Sequence, residues 1–72
     1  MSRRKRQAAE LTELCRTGDV ARAIDLAFGH FPDFGRDEAI VACLGAALDR
    51  AGVTAAARRR FAELLQAGQA SL

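Results

Sequence analysis

The chain has few of the residues on which large cores and catalytic sites depend. Its 72 residues include no tryptophan, no tyrosine, one proline, one histidine and two cysteines. Half of the chain is apolar, but the large apolar side chains are scarce, because there are four phenylalanines against 16 alanines. Alanine favours helix formation more than it fills a core. We therefore expect helices that pack closely around a thin core.

A single histidine leaves little material for a metal site or a catalytic group. His30, Cys15 and Cys43 are the only soft ligands, and their spacing matches no metal-binding pattern. His30 lies off the apolar stripe of its helix, so we expect it to be exposed. The glycines separate helices and form no phosphate-binding loop. The sequence predicts no metal, no cofactor, no small-molecule substrate and no enzymatic activity.

The two cysteines and the absence of long apolar runs indicate in which cellular compartment the protein is expected. A disulfide between Cys15 and Cys43 is possible, but both fall on apolar helix faces and are interpreted as buried free thiols in a reducing cytosol. No apolar stretch approaches the roughly 20 residues of a membrane-spanning helix. Residues 7–16 are too polar for the apolar part of a signal peptide. We therefore expect a cytoplasmic protein with no membrane contact.

The spacing of apolar residues predicts an all-α fold of four short helices, arranged as two antiparallel helical hairpins. One four-helix domain is expected over residues 7–67, between a disordered basic arm over 1–6 and a frayed C-terminus over 68–72. The predicted helices cover residues 7–17, 20–31, about 36–51 and about 54–67. The apolar stripes that should form the core are Ala8, Leu11, Leu14 and Cys15; Val20, Ala23, Ile24, Ala27, Phe28 and Phe31; Ile40, Cys43, Leu44, Ala47, Leu48 and Ala51; and Ala57, Phe61, Leu64 and Leu65.

The ends of these helices are predicted from local signals. Gly18 and Gly52 are suited to end the first and third helices. Asp19 and Thr54 are suited to cap the helices that follow. Pro32 is expected to end the second helix and to begin a loop over residues 32–35.

The positive charge is concentrated in two places. Formal net charge is +2, but the rest of the chain nets −2 once the first cluster is set aside. The two clusters are Arg3, Arg4, Lys5 and Arg6 at the start, and Arg58, Arg59 and Arg60 in the fourth predicted helix. The first either contacts nucleic-acid phosphates or is a solubilising segment. Ten arginines against one lysine, with the alanine excess, are typical of a GC-rich bacterial genome.

The second basic cluster also has two interpretations. Residues 45–65 can be aligned with a DNA-binding helix-turn-helix, in which 52–54 form the turn and Arg58, Arg59 and Arg60 lie on the recognition helix. Arg58 then takes a position that is normally apolar, and Leu48 one that is normally small. Alternatively, the arginines form a solvated flank whose aliphatic stems cover the core.

A spacing of 34 residues relates the two halves of the chain. Gly18 and Gly52 are 34 residues apart, and each half reads as helix, glycine turn, helix. A helix-turn-helix period of 34 residues resembles the tetratricopeptide repeat. Leu44, Gly45, Ala47 and Leu48 match the first helix of that repeat, and Ala57 and Phe61 its second; in the first half, Ala23 and Ile24 resemble the start of the second helix. The aromatic residues of the first helix are missing, and Pro32 arrives about one turn early.

The resemblance implies a protein-interaction module with two units, fewer than the three such stacks need. Self-association as a homodimer, or docking on a protein partner, would cover the exposed ends. The candidate interface residues are Ala42, Gly45 and Ala46, which form a smooth flank on the third helix, and Phe31 and Phe34 around Pro32. Phe34 either closes over the junction of helices two and three or is exposed for docking. The alternative function is a DNA-associated accessory or regulatory protein that uses the two basic clusters.

Overall fold

Four helices account for almost all of the described chain. The computed structural model describes residues 2–52 and 54–69. The helices are α1 (Arg3–Thr17), α2 (Val20–Phe34), α3 (Glu38–Ala51) and α4 (Ala55–Gln69). Within these residues there is no strand, and no helix has the length and apolarity that crossing a bilayer requires. The predicted all-α fold of four helices is confirmed.

A glycine turn folds α1 and α2 into a hairpin. Gly18 adopts a left-handed backbone conformation with φ 85°, which favours glycine. Its N–H donates to the Cys15 carbonyl at 3.3 Å, and the Asp19 N–H donates to the Leu14 carbonyl at 2.9 Å. Asp19 occupies the N-cap position of α2, as predicted, but its side chain makes no capping hydrogen bond. The turn itself therefore reverses the chain.

Polar caps fix the starts of α3 and α4. The Asp37 carboxylate accepts a hydrogen bond from the Ala39 N–H at 2.9 Å, so α3 begins two residues later than predicted. The Thr54 hydroxyl accepts from the Ala57 N–H at 3.3 Å, as expected of a capping threonine. Gly52 ends α3 in the left-handed region, with φ 61°.

The N-terminal basic segment is helical, so the prediction of a disordered arm over residues 1–6 is wrong for residues 2–6; Met1 lies outside the described residues. Ser2 caps α1 by accepting from the Lys5 N–H at 3.3 Å. Arg3 pairs with Asp33 in the last turn of α2 at 3.3 Å. The hairpin places the basic turn beside the C-terminus of α2, whose last turn has no basic residue of its own. Attraction to that negative helix end offsets repulsion at the positive start of α1.

The predicted loop over residues 32–35 is also wrong, because α2 continues through Pro32 to Phe34. Proline removes one hydrogen bond from a helix, and in the last turn this loss is local. The Gly35 N–H closes the turn by donating to the Phe31 carbonyl at 2.7 Å. At the other end of the chain, residues 68–69 belong to α4 rather than to a frayed segment. Residues 70–72 lie outside the described part.

The core is thin, and α2 lies at its centre. α2 packs against each of the other helices, α3 also packs against α1, and α4 contacts mainly α2. The molecule measures 31 × 30 × 16 Å, so its short dimension is that of two helix layers. The buried apolar residues come from all four stripes and are Leu11, Cys15, Val20, Ala23, Ile24, Ala27, Phe31, Ile40, Leu44, Ala47, Leu48 and Leu64. Among the α4 residues whose burial the structure describes, only Leu64 belongs to this group.

Two glycines are expected to respond in opposite directions to substitution by alanine. A Cβ at Gly52 or at Gly29 would have no heavy atom within 4 Å, so neither change causes a clash. At Gly52 the left-handed backbone costs a side chain about 1–2 kcal/mol. At Gly29, inside α2, alanine gains about 0.5–1 kcal/mol. Urea unfolding should show Gly52→Ala destabilised and Gly29→Ala stabilised; equal effects would contradict the backbone explanation.

Candidate functional surfaces

The small-residue flank of α3 faces away from the core. Ala42 and Ala46 are exposed and Gly45 is half-buried. A Cβ built on Gly45 would meet no heavy atom within 4 Å, so no part of the described chain packs over this position. The spacing i, i+3, i+4 puts the three residues on one side of the helix. The predicted flank is thus an open, smooth strip on the outer side of α3.

The two phenylalanines around Pro32 have different environments. Phe31 is 7% exposed and belongs to the core, so it offers no surface to a partner. Phe34 is half-buried, with the Arg3 guanidinium 5.0 Å from its ring centroid and the His30 ring at 5.0 Å on another side. Phe34 was predicted either to close over the junction of helices two and three or to be exposed for docking. The structure places it instead between the start of α1 and the end of α2, against Arg3 and His30.

The prediction of an exposed His30 is wrong. His30 is 3% exposed, not a surface histidine. Its Nδ1 lies 2.9 Å from the Oε1 of Gln7, and because an amide oxygen accepts, the ring N–H donates. Phe31 and Phe34 pack against the ring. The buried nitrogen is therefore satisfied within the hairpin, as a structural histidine is.

The first basic cluster divides into one anchored residue and three exposed ones. Arg3 is held by Asp33 and Phe34. Arg4, Lys5 and Arg6 are exposed, and within residues 2–52 and 54–69 no carboxylate forms an ion pair with them. One turn of α1 thus presents three positive side chains to solvent.

The second basic cluster is partly neutralised by contacts within the domain. Arg60 pairs with Asp25 of α2 and lies 4.5 Å from the centroid of the Phe28 ring. Arg58 is 3.9 Å from Asp49, while Arg59 is exposed. In the second basic cluster, the charges of Arg58 and Arg60 pair with carboxylates of the domain and their side chains lie along its surface. These contacts resemble the solvated flank, which was one of the two predicted interpretations. Val53, in the turn of the alternative helix-turn-helix, lies outside the described residues.

The two basic clusters attach to different parts of α2. Arg3 pairs with Asp33 and Arg60 with Asp25. These two carboxylates are eight residues apart, which is about 12 Å along a helix. A recognition surface made of both clusters would be interrupted by the acidic residues that hold them.

The two cysteines are free thiols on α1 and α3, which pack against each other. Cys15 is buried and Cys43 is half-buried. Burial, followed by the electrostatic effect of the Cys43 thiol, raises the pKa of Cys15 above its ordinary 9.0. The register of the two helices is fixed nearby, where the Arg50 guanidinium donates to the Cys15 carbonyl at 3.0 Å. No group of three metal-ligating side chains occurs among the residues described.

The raised pKa of Cys15 predicts a loss of stability in alkali. The unfolded thiol ionises at the ordinary value of 9.0, whereas the folded thiol holds its proton to higher pH. The stabilisation is therefore complete below pH 9 and declines as pH rises towards the folded pKa. Urea unfolding at increasing pH should show a steeper decline for the natural chain than for Cys15→Ala. Parallel declines would contradict this origin.

A cleft between α2 and the first half of α4 was not foreseen from the sequence. Its volume is about 210 Å³, below the roughly 300–1,000 Å³ of typical small-molecule sites. It is lined by Ala21, Ile24, Asp25, Thr54, Ala56, Ala57 and Arg60. The only signal in the sequence was the run of small side chains at the start of α4, which leaves space beside Ile24. The Asp25–Arg60 pair forms its polar edge.

Comparison with known proteins gives no relative from which a function could be transferred. No family model matches the chain, and neither the curated proteins nor the solved structures contain a match.

Proposed function

We propose that this chain is a non-enzymatic, cytoplasmic protein-interaction module that self-associates through the outer side of α3. The observation that carries the proposal is the open strip of Ala42, Gly45 and Ala46. Small side chains let a second helix approach closely, so that the backbones and the flanking side chains make many van der Waals contacts. A two-fold axis through the strip would place α3 of one copy against α3 of the other.

The thinness of the domain supports this proposal. A chain of about this length buries only roughly 60–65% of the surface of its unfolded state, and the molecule here is 16 Å across at its short dimension. Several large apolar side chains are only half-buried: Leu14, Leu26, Phe28, Val41, Phe61 and Leu65. Association would remove further apolar surface from water.

The proposed relation to tetratricopeptide repeats gives the same expectation. α1 packs on α3 and α2 packs on α4, as corresponding helices of two stacked units would, but among the described residues α3 and α4 make few contacts with each other, unlike α1 and α2. Two units leave both ends of the stack without a neighbour. A homodimer through α3 would cover one of those ends, and a protein partner could cover the other.

The test is the mass of the protein in solution, measured by analytical ultracentrifugation at tens of micromolar. We expect a dimer for the natural chain. Ala46→Arg should weaken dimerisation by more than about tenfold, or about 1.4 kcal/mol, because the long charged side chain keeps the helices apart. Ala62→Arg, at an exposed alanine of α4, is the matched control and should leave the dimer intact.

Circular dichroism would establish that both variants are folded. A natural chain that sediments as a monomer at these concentrations would overturn self-association. A dimer that is equally stable in Ala46→Arg and Ala62→Arg would overturn the assignment to α3.

A second candidate function is binding to DNA, and one observation favours it: the exposed helical turn of Arg4, Lys5 and Arg6. Three phosphate contacts would give a slope of about −2.7 for log K against log salt concentration. Fluorescence anisotropy with a short duplex at low salt would measure it. We expect the triple alanine variant of this turn to lose binding, whereas alanines at Arg58, Arg59 and Arg60 should change it little. Absence of binding at low salt would exclude this function.

A further inference from the structure

We propose that Cys15 and Cys43 form an oxidisable dithiol, which a low-molecular-weight disulfide such as oxidised glutathione converts into an intramolecular disulfide that joins α1 to α3. This modification goes beyond the proposed function and does not depend on self-association. The two residues are 28 positions apart in the chain, and the entire α2 helix lies between them.

The packing of α1 on α3 brings the two thiols together. Cys15 is 3% exposed and points into the core, and Cys43 packs against the same buried cluster. The Cys43 thiol also contributes to the raised pKa of Cys15, as a near neighbour does. The contact between Arg50 and the Cys15 carbonyl, 3.0 Å long, holds the end of α1 against α3 and so maintains this alignment.

The difference in exposure gives the two cysteines different roles. Cys43 is half-buried and therefore meets a dissolved reagent, whereas Cys15 is shielded from it. The Cys43 thiolate attacks one sulfur of oxidised glutathione, which forms a mixed disulfide and releases one glutathione thiolate. Cys15 then loses its proton to solvent, and its sulfur attacks the Cys43 sulfur. The second glutathione leaves as a thiolate, so two protein thiols are oxidised and one glutathione disulfide is reduced.

The bond would close a loop that contains α2. A cross-link over a loop of this size lowers the entropy of the unfolded chain. For a domain of this length, the resulting increase in Tm is on the order of 10 °C. The oxidised protein should therefore melt at a higher temperature than the reduced protein, and a dithiol reductant should reverse the change.

The experiment exposes the folded protein to oxidised glutathione and follows it by intact mass, by non-reducing electrophoresis and by thermal melting. We expect a monomeric product that has lost two hydrogens and carries no glutathione, with a rate independent of protein concentration. Cys15→Ser should stop at a glutathione adduct on Cys43. Cys43→Ser should react much more slowly, because the remaining thiol is buried.

Two results would overturn the proposal. These are a mixed disulfide that persists in the natural chain and a covalent dimer as the main product. An internal disulfide that leaves Tm unchanged or lower would overturn the expected gain in stability. Equal reactivity of Cys43→Ser and the natural chain would overturn the assignment of Cys43 as the entry point. Circular dichroism would show whether both serine variants are folded, so that a change in reactivity is not mistaken for the effect of misfolding.

Discussion

Replacing Leu44 by alanine is expected to lower the free energy of unfolding by about 3 kcal/mol or more. Leu44 is fully buried, among the largest side chains of the core, on the helix that contacts both α1 and α2. Leucine-to-alanine changes at such sites cost about 2–5 kcal/mol, because the cavity closes only partly. A stability of about 0.05–0.15 kcal/mol per residue is usual. The substitution therefore removes a large fraction of the total.

The matched control is Leu26→Ala. Leu26 is half-buried on α2, so the same atoms are removed from a helix without opening an enclosed cavity. We expect a loss of about 1 kcal/mol. Urea unfolding of the two variants, followed by circular dichroism, gives the comparison. If Leu26→Ala were as costly as Leu44→Ala, the core would not be centred where the structure places it.

Gln7→Ala is expected to cost about 1–3 kcal/mol, although Gln7 is not a core residue. It removes the acceptor for the Nδ1–H of His30, which is 3% exposed. A buried donor left without a partner carries the full cost of its desolvation. The same change also loosens the basic first turn of α1, because Gln7 lies one turn after Arg3 on the side that meets α2.

The control for this effect is Gln66→Ala, at an exposed position of α4, which should be nearly neutral. Gln7→Ala should also lower the free energy of unfolding by less in a His30→Leu background, where no ring N–H remains to be satisfied. This coupling would be measured by thermal and urea unfolding of four proteins: the natural chain, Gln7→Ala, His30→Leu and the double variant. An undiminished cost in that background would show that the hydrogen bond is not its source.

Where local signals act alone, the sequence predicted the helix ends well. Gly18 and Gly52 end helices as expected, and Thr54 caps α4. The errors occur where a tertiary contact overrides the local signal. The basic start was predicted to be disordered, yet it is helical and Arg3 is held by Asp33. Pro32 looked like a helix end, yet the last turn of α2 is closed beyond it.

The misassignment of His30 has a geometrical cause. A helix that packs against one neighbour shows a stripe roughly 100° wide, and His30 lies outside that stripe. α2 packs against three helices, so its buried arc widens to about 120°, from Ile24 round to His30, at 100° per residue. The width of such an arc depends on the number of neighbours, which no periodicity within α2 reveals.

The candidate surfaces were predictable to different degrees. The flank of Ala42, Gly45 and Ala46 follows from helical spacing, and the structure leaves it open. The proximity of Cys15 and Cys43 could not be predicted, because it depends on the register between α1 and α3. That register is fixed by packing and by the Arg50 contact, neither of which is a local property of the sequence.

The dependence of α4 on a single neighbour has a consequence for native-state dynamics. Leu64 is its only fully buried apolar side chain among those described, and its main contact is with α2. Opening α4 alone exposes less apolar surface than opening α1, α2 or α3, so it requires less free energy. In hydrogen–deuterium exchange, the amides of α4 would take up deuterium first and those of α2 last. The chain would thus lose its native order from its C-terminal helix inward, with the three-helix unit around α2 as the last part to unfold.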